Sequence, residues 1–180
     1  SQIYGGGSGM HSGTFDIRSG ATLDFGSGTH TLTAGSRIQG AGTLEVSGGT
    51  LEIGADVATS AGFSLTGGTL TGAGTLTLGG ASTWTGGTMA GTGATVIAAG
   101  ATLTVNPGVT LDLGGRKILV FGTINVAGSA SQVATLANGT ISTENTTGRI
   151  NVSLGRLDRV TVDDFFSDGS LAVTNSIIDA

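Results

Sequence analysis

Large apolar residues return along this chain every 19 to 21 positions, each directly behind a residue that carries a hydroxyl. One column reads Leu23, Leu44, Leu65, Trp84, Leu103 and Ile124, preceded by Thr22, Thr43, Ser64, Thr83, Thr102 and Thr123. A second reads Leu32, Leu51, Leu70, Met89, Leu111 and Leu136, behind Thr31, Thr50, Thr69, Thr88, Thr110 and Thr135. A third, looser column is Ile38, Val57, Leu76, Val96, Ile118 and Ile141. Within a segment such as Thr43-Leu44-Glu45-Val46, apolar and polar residues alternate, which is the period of a strand with one buried face. Glycine pairs separate the segments and suit tight corners. Three short strands per period predict an all-β fold, a parallel β-solenoid with coils of about 19 to 21 residues and three sheets along its sides. Hydrogen bonds then pass from coil to coil. The column residues are expected to point inward, with Leu44, Leu65 and Leu103 in one file, and the residues before them outward.

The pattern divides the chain. Residues 1–13 are Gly-rich with little apolar material and read as an irregular lead-in. Residues 14–126 hold the regular coils, whose strictest stretch is Val46-Ser-Gly-Gly-Thr50, Leu65-Thr-Gly-Gly-Thr69 and Trp84-Thr-Gly-Gly-Thr88, 19 residues apart each time. Residues 127–180 read as larger, less regular coils of the same domain, with strands at Gly139-Thr140-Ile141, Arg149 to Val152, Arg159 to Val162 and Leu171 to Val173.

Composition narrows the alternatives. Glycine supplies 35 of the 180 residues, which alone would suit a disordered linker, but 38% hydrophobic content and a mean hydropathy of +0.29 place the chain among folded ones. Aromatics at 4% fit a narrow bore, with Trp84 as its exception. The net charge of −5 argues against nucleic acid and anionic bilayers as partners. No apolar run is long enough to cross a membrane as a helix. With no Cys there is no disulfide or thiol chemistry. No signal peptide is visible, and Ser1 in place of Met fits a processed chain or an excised piece.

The unit from Leu65 to Leu78, Leu-Thr-Gly-Gly-Thr-Leu-Thr-Gly-Ala-Gly-Thr-Leu-Thr-Leu, resembles the repeats of large secreted bacterial β-solenoid adhesins of the filamentous-haemagglutinin and autotransporter-passenger type. The resemblance covers about residues 14–126. It implies a right-handed parallel β-helix, secretion or cell-surface display, and a role as stalk or adhesive surface. It brings no catalytic residue and no cofactor.

Outward hydroxyls are the most regular chemistry on offer. Thr22, Thr43, Ser64, Thr83, Thr102 and Thr123 are expected about 4.8 Å apart in one file, with Thr66, Thr85 and Thr104 in a parallel one. Such an array resembles the Thr-x-Thr faces of solenoid ice-binding proteins, although Thr is also simply a good strand former. Asp24 and Glu45 fall in one outward file near Glu52 and Asp56. Paired acids serve glycosidic-bond cleavage or Ca²⁺ binding. No His or Lys stands at matching positions and no aromatic platform for a sugar accompanies them, so they read as solvated surface charges. His11 and His30 are too few and too far apart for a metal site. The stretch Asp163-Asp164-Phe165-Phe166-Ser167-Asp168-Gly169 lacks Ca²⁺-loop spacing. It reads as a Phe plug with acids facing water, beside Arg149, Arg156 and Arg159. Sequons at Asn138, Asn145 and Asn151 are expected by chance in so Thr-rich a chain.

These readings converge on a non-enzymatic extracellular structural or adhesive module with no catalytic, cofactor-binding or metal-ligating residue. Its expected partner is itself, or neighbouring coils, stacked end to end, with cell-surface or matrix carbohydrate as a further candidate. Ice-binding proteins, polysaccharide-active β-helix enzymes and phage or secretion-system fibres are the alternatives.

Overall fold

The computed structural model describes residues 2–4, 6–106, 108–143, 148–163, 170–174 and 177–179. Pro107, Glu144, Asn145 and the stretch from Asp164 to Gly169 lie outside these. The strands alternate around three faces, and each pairs in parallel with the strand one coil before and one coil after it. Nine strands build the first face: Gln2–Tyr4, Thr22–Asp24, Thr43–Val46, Gly62–Leu65, Ala81–Trp84, Thr102–Val105, Thr123–Ala127, Arg149–Ser153 and Ser170–Thr174. The second face begins with Gly9–His11 and Thr29–Leu32, and the third with Thr14–Asp16 and Arg37–Gln39. The fold is thus a parallel β-solenoid, and no described residue is helical.

The second and third faces fuse toward the C-terminal end. Ala134–Ser142 pairs with Thr110–Asp112 through its first half and with Lys117–Val120 through its second, and Gly155–Asp163 repeats the arrangement one coil on. A corner made of glycine turns is thereby replaced by a bend inside a nine-residue strand, at Asn138 (φ 56°) and Arg159 (φ 52°). Asn tolerates that left-handed conformation, whereas Arg adopts it only under the pull of its paired neighbours. The larger coils expected here are present: Thr123 pairs with Arg149, 26 residues on.

The lead-in is more ordered than its composition suggests. Gln2–Tyr4 and Gly9–His11 are strands of a first coil, paired with Thr22–Asp24 and Thr29–Leu32. A sheet edge recruits backbone without asking for an apolar pattern, so low apolar content concealed them.

Facing directions follow the columns, but the files do not. Every residue of the first two columns is buried, while the hydroxyl residues before them stay at least partly exposed, Thr135 being the exception. Leu44, however, stacks on Leu23 and Phe63, whereas Leu65 stacks on Val46 and Trp84. The expected file of Leu44, Leu65 and Leu103 is therefore wrong; Leu103 pairs with Ser82 and follows Phe63. The cause is that Thr22 pairs 21 residues on with Thr43, but Thr43 pairs only 19 on with Gly62. Two residues are lost at a corner, and a shift of two keeps every side chain on its own side of the sheet while moving it one file along.

Packing in the bore is balanced coil by coil. Where Trp84 enters, fully buried with its indole N–H donating to the Gly86 carbonyl at 3.0 Å, two other inward positions shrink. Ser82 stands between Phe63 and Leu103, and Thr95 between Leu76 and Ile118. At the corner that follows, Gly87 has φ 73°, and an added Cβ would lie 2.3 Å from the Gly67 carbonyl oxygen one coil away. Only glycine lets the coils close to strand-pairing distance there.

The bore also holds a charge that no sequence pattern announced. Arg116 is wholly buried. Its Nε donates to Thr95 Oγ1 at 3.0 Å, Nη1 to the carbonyls of Gly72 and Ala90 at 3.2 and 3.3 Å, and Nη2 to those of Gly74 and Ala94 at 3.1 and 2.7 Å. All five guanidinium donors are used, on acceptors from two preceding coils. Burial lowers its pKa to about 10, which leaves it protonated at neutral pH. Replacement by Met keeps bulk and removes every donor. Arg116→Met is expected to lower stability by about 2–4 kcal/mol, with Arg116→Lys in between, as read from urea midpoints.

Candidate functional site

The outward side chains of the first face form two main files rather than the expected ladder. One runs Thr22, Thr43, Gly62, Ala81, Thr102, Thr123 and Arg149, so glycine and alanine interrupt it mid-way. The other runs Asp24, Glu45, Ser64, Thr83, Thr104, Asn125 and Asn151. Ser64 and Thr83 thus belong with the acids and not with Thr22, Thr43, Thr102 and Thr123. Thr66 and Thr85 lie beyond the strand ends, in line with each other but not with Thr104; their amides bond the carbonyls of Val46 and Leu65. The same two-residue shortening of the middle coils explains each of these departures. The unbroken threonine file is on the second face: Thr29, Thr50, Thr69 and Thr88.

These polar groups bond along the axis, coil to coil. Ser64 Oγ and Thr83 Oγ1 are 3.2 Å apart, and Asn151 Nδ2 donates to Asn125 Oδ1 at 2.8 Å. Thr66 donates to Glu45 at 3.1 Å, Ser47 to Asp24 at 2.9 Å and Thr31 to Glu52 at 2.9 Å. Much of the hydroxyl and amide chemistry on the surface is therefore internal to the stack.

Asp24 departs from the reading of solvated surface charge. It is only 5% exposed, although it sits on the outward side of its strand. Glu45, directly opposite on the next coil, is partly exposed. Among the described residues no three His, Cys, Asp or Glu side chains gather as a metal set. A depression on the third face is lined by Arg37, Gln39, Asp56, Ala58 and Thr77 and contains neither an acid pair nor a ring. Toward the C-terminal end, Asp158 lies 3.7 Å from Arg156 and 3.9 Å from Arg159, long contacts on solvent-exposed groups that contribute little.

The two histidines, read from sequence as too far apart, are neighbours. Nineteen residues is one coil, and His11 Nε2 lies 3.1 Å from His30 Nδ1 with the rings stacked at 5.3 Å. His30 is buried and packs against Phe25, while His11 meets Phe15 edge-on. The Ser27 carbonyl accepts from His30 Nε2 at 3.1 Å. In the neutral pair this makes His30 Nδ1 the acceptor and His11 Nε2 the donor. The spacing of 19 was the signal available in the sequence. Arg116 offered none, because it follows a glycine corner whose path only the folded chain reveals.

No family model matches the chain, and no curated protein or solved structure matches it either.

Burial, followed by the neighbouring His30, holds the His11 pKa below its ordinary 6.5. Below that value the unfolded chain binds more protons than the folded one, so stability of the first coils is full above it and falls as pH drops toward the folded value. Hydrogen exchange at Gly9–His11 and Thr29–Leu32 should accordingly be faster at about pH 5 than at about pH 7.5, after correction for intrinsic rates. His11→Leu, which extends the apolar file of Leu32 and Ile53, should abolish the difference.

Proposed function

We propose that this chain is a non-enzymatic, extracellular structural or adhesive segment: a stiff β-solenoid rod that stacks end to end and displays rows of small polar groups. The observation that carries the reading is the axial bonding of the outward side chains. Ser64 with Thr83, Asn125 with Asn151, and Thr66 with Glu45 stiffen neighbouring coils instead of converging on a substrate. A converging set, with nucleophile, base and a sheltered cleft, is what catalysis needs. The resemblance of the Leu65 to Leu78 unit to adhesin repeats supports the same reading.

The geometry of the ends adds to it. Gln2–Tyr4, Gly9–His11 and Thr14–Asp16 pair on one side only among the described residues, as do Ser170–Thr174 and Ile177–Asp179. Unpaired strand edges recruit further strands, and Met10, 78% exposed on one of them, gives that edge no charge to deter pairing. A second reading, ice binding, draws on the unbroken file of Thr29, Thr50, Thr69 and Thr88.

Sedimentation across a wide concentration range tests the assembly. Concentration-dependent association, weakened about tenfold or more by Met10→Lys, is the expected outcome. A strict monomer at high concentration would overturn end-to-end stacking. Release of reducing or unsaturated ends from acidic polysaccharides, lost in Asp24→Asn with Glu45→Gln, would promote the enzyme reading instead. Thermal hysteresis that disappears in Thr50→Tyr with Thr69→Tyr would promote the ice-binding one.

A further inference from the structure

Two carboxylates face each other on the first face with no cation between them. Asp24 and Glu45 are direct cross-strand partners on adjacent parallel strands, and like charges placed so are destabilising. Neither forms an ion pair with a basic side chain among the described residues. Each has one oxygen held by a hydroxyl from the coil that follows: Asp24 Oδ2 by Ser47 at 2.9 Å and Glu45 Oε1 by Thr66 at 3.1 Å. The remaining oxygen of each is left over. For Asp24 that oxygen, Oδ1, is shut off from solvent and has no hydrogen-bond partner, in a side chain that is 95% buried. A buried polar atom without a partner needs a physical explanation, and an unmet carboxylate oxygen is a costly one.

We propose that Asp24 and Glu45 form a binding site for a hard divalent cation of the calcium class, with Asp24 Oδ1 and Glu45 Oε2 as its protein ligands. Oxygen donors with two negative charges are the chemistry such an ion takes. A proton would supply one donor to one oxygen, whereas a divalent ion accepts both leftover oxygens and cancels both charges. Ser47 and Thr66 are positioning residues: by holding the other oxygen of each carboxylate they fix its rotation, as second-layer hydrogen bonds do around metal ligands. Glu45 is the more exposed partner, so water completes the coordination from its side. Two carboxylates with few further ligands place the affinity at the weak end, about 10⁻⁴ to 10⁻³ M. The ion ties the second coil to the third without a change of fold. This inference is independent of end-to-end stacking.

Calorimetric titration of calcium chloride into the whole chain, after removal of divalent ions with a chelator, tests it. One ion per chain is expected, and about 10 mM calcium should raise the melting temperature by about 3 °C. Asp24→Asn and Glu45→Gln should each weaken binding at least about tenfold, while Glu52→Gln on the second face leaves it unchanged. Because Asp24 is buried, Glu45→Gln carries the comparison if Asp24→Asn does not fold. Absence of both heat and thermal shift overturns the proposal, as does binding that survives Glu45→Gln. A melting temperature that rises with acidification in chelator, with no response to calcium, assigns the pair a proton and equally overturns it.

Discussion

Parallel hydrogen bonding between successive coils governs this molecule. It forces each turn of chain to lie about 4.8 Å from the next, and so to copy its neighbour's path. Three consequences follow. Side chains inside must fill a bore of nearly constant width, so the entry of Trp84 is answered by Ser82 and Thr95. Corners must admit backbone against backbone, so glycine occupies places such as Gly87. Polar groups outside have their nearest partners along the axis, which is where Ser64, Thr83, Asn125 and Asn151 find them.

The fold was legible because strand alternation and coil recurrence are both periodic, and periodicity is what a sequence displays. Facing direction depends only on parity, and parity survived the change from 21-residue to 19-residue coils. Register depends on the sum of residues around a coil, and corners absorb or lose pairs of residues without marking the pattern. Leu65 and Trp84 were therefore correctly placed inside but in the wrong file, and Ser64 and Thr83 correctly outside but in the wrong ladder. The nearness of His11 and His30 was within reach, since their separation equals one coil. Arg116 was out of reach, because its acceptors are main-chain carbonyls and any residue would have supplied those.

Polar groups taken inside the stack are specific to particular coils, unlike the Leu and Thr repeats around them. Coils built from nearly interchangeable units have little to prevent one from slipping past another. Arg116 is satisfied only where Thr95 and the carbonyls of Gly72, Gly74, Ala90 and Ala94 stand together. Buried polar groups with a single satisfying arrangement set register in other assemblies, and the same logic applies to this stack. The histidine pair and the Asp24–Glu45 pair lie in the first coils, so the N-terminal half of the rod differs chemically from the rest.

A solenoid pulled from its ends unspools, and Arg116 changes how. An ordinary coil of about 20 residues, peeled away by itself, adds about 70 Å of extended chain and surrenders only its own ladder of hydrogen bonds. The guanidinium grips carbonyls from two earlier turns as well as anchoring its own, so tension reaching it has to break contacts with several turns at once. The rod thus has a mechanical stop partway along its length, at which unspooling stalls until the force rises.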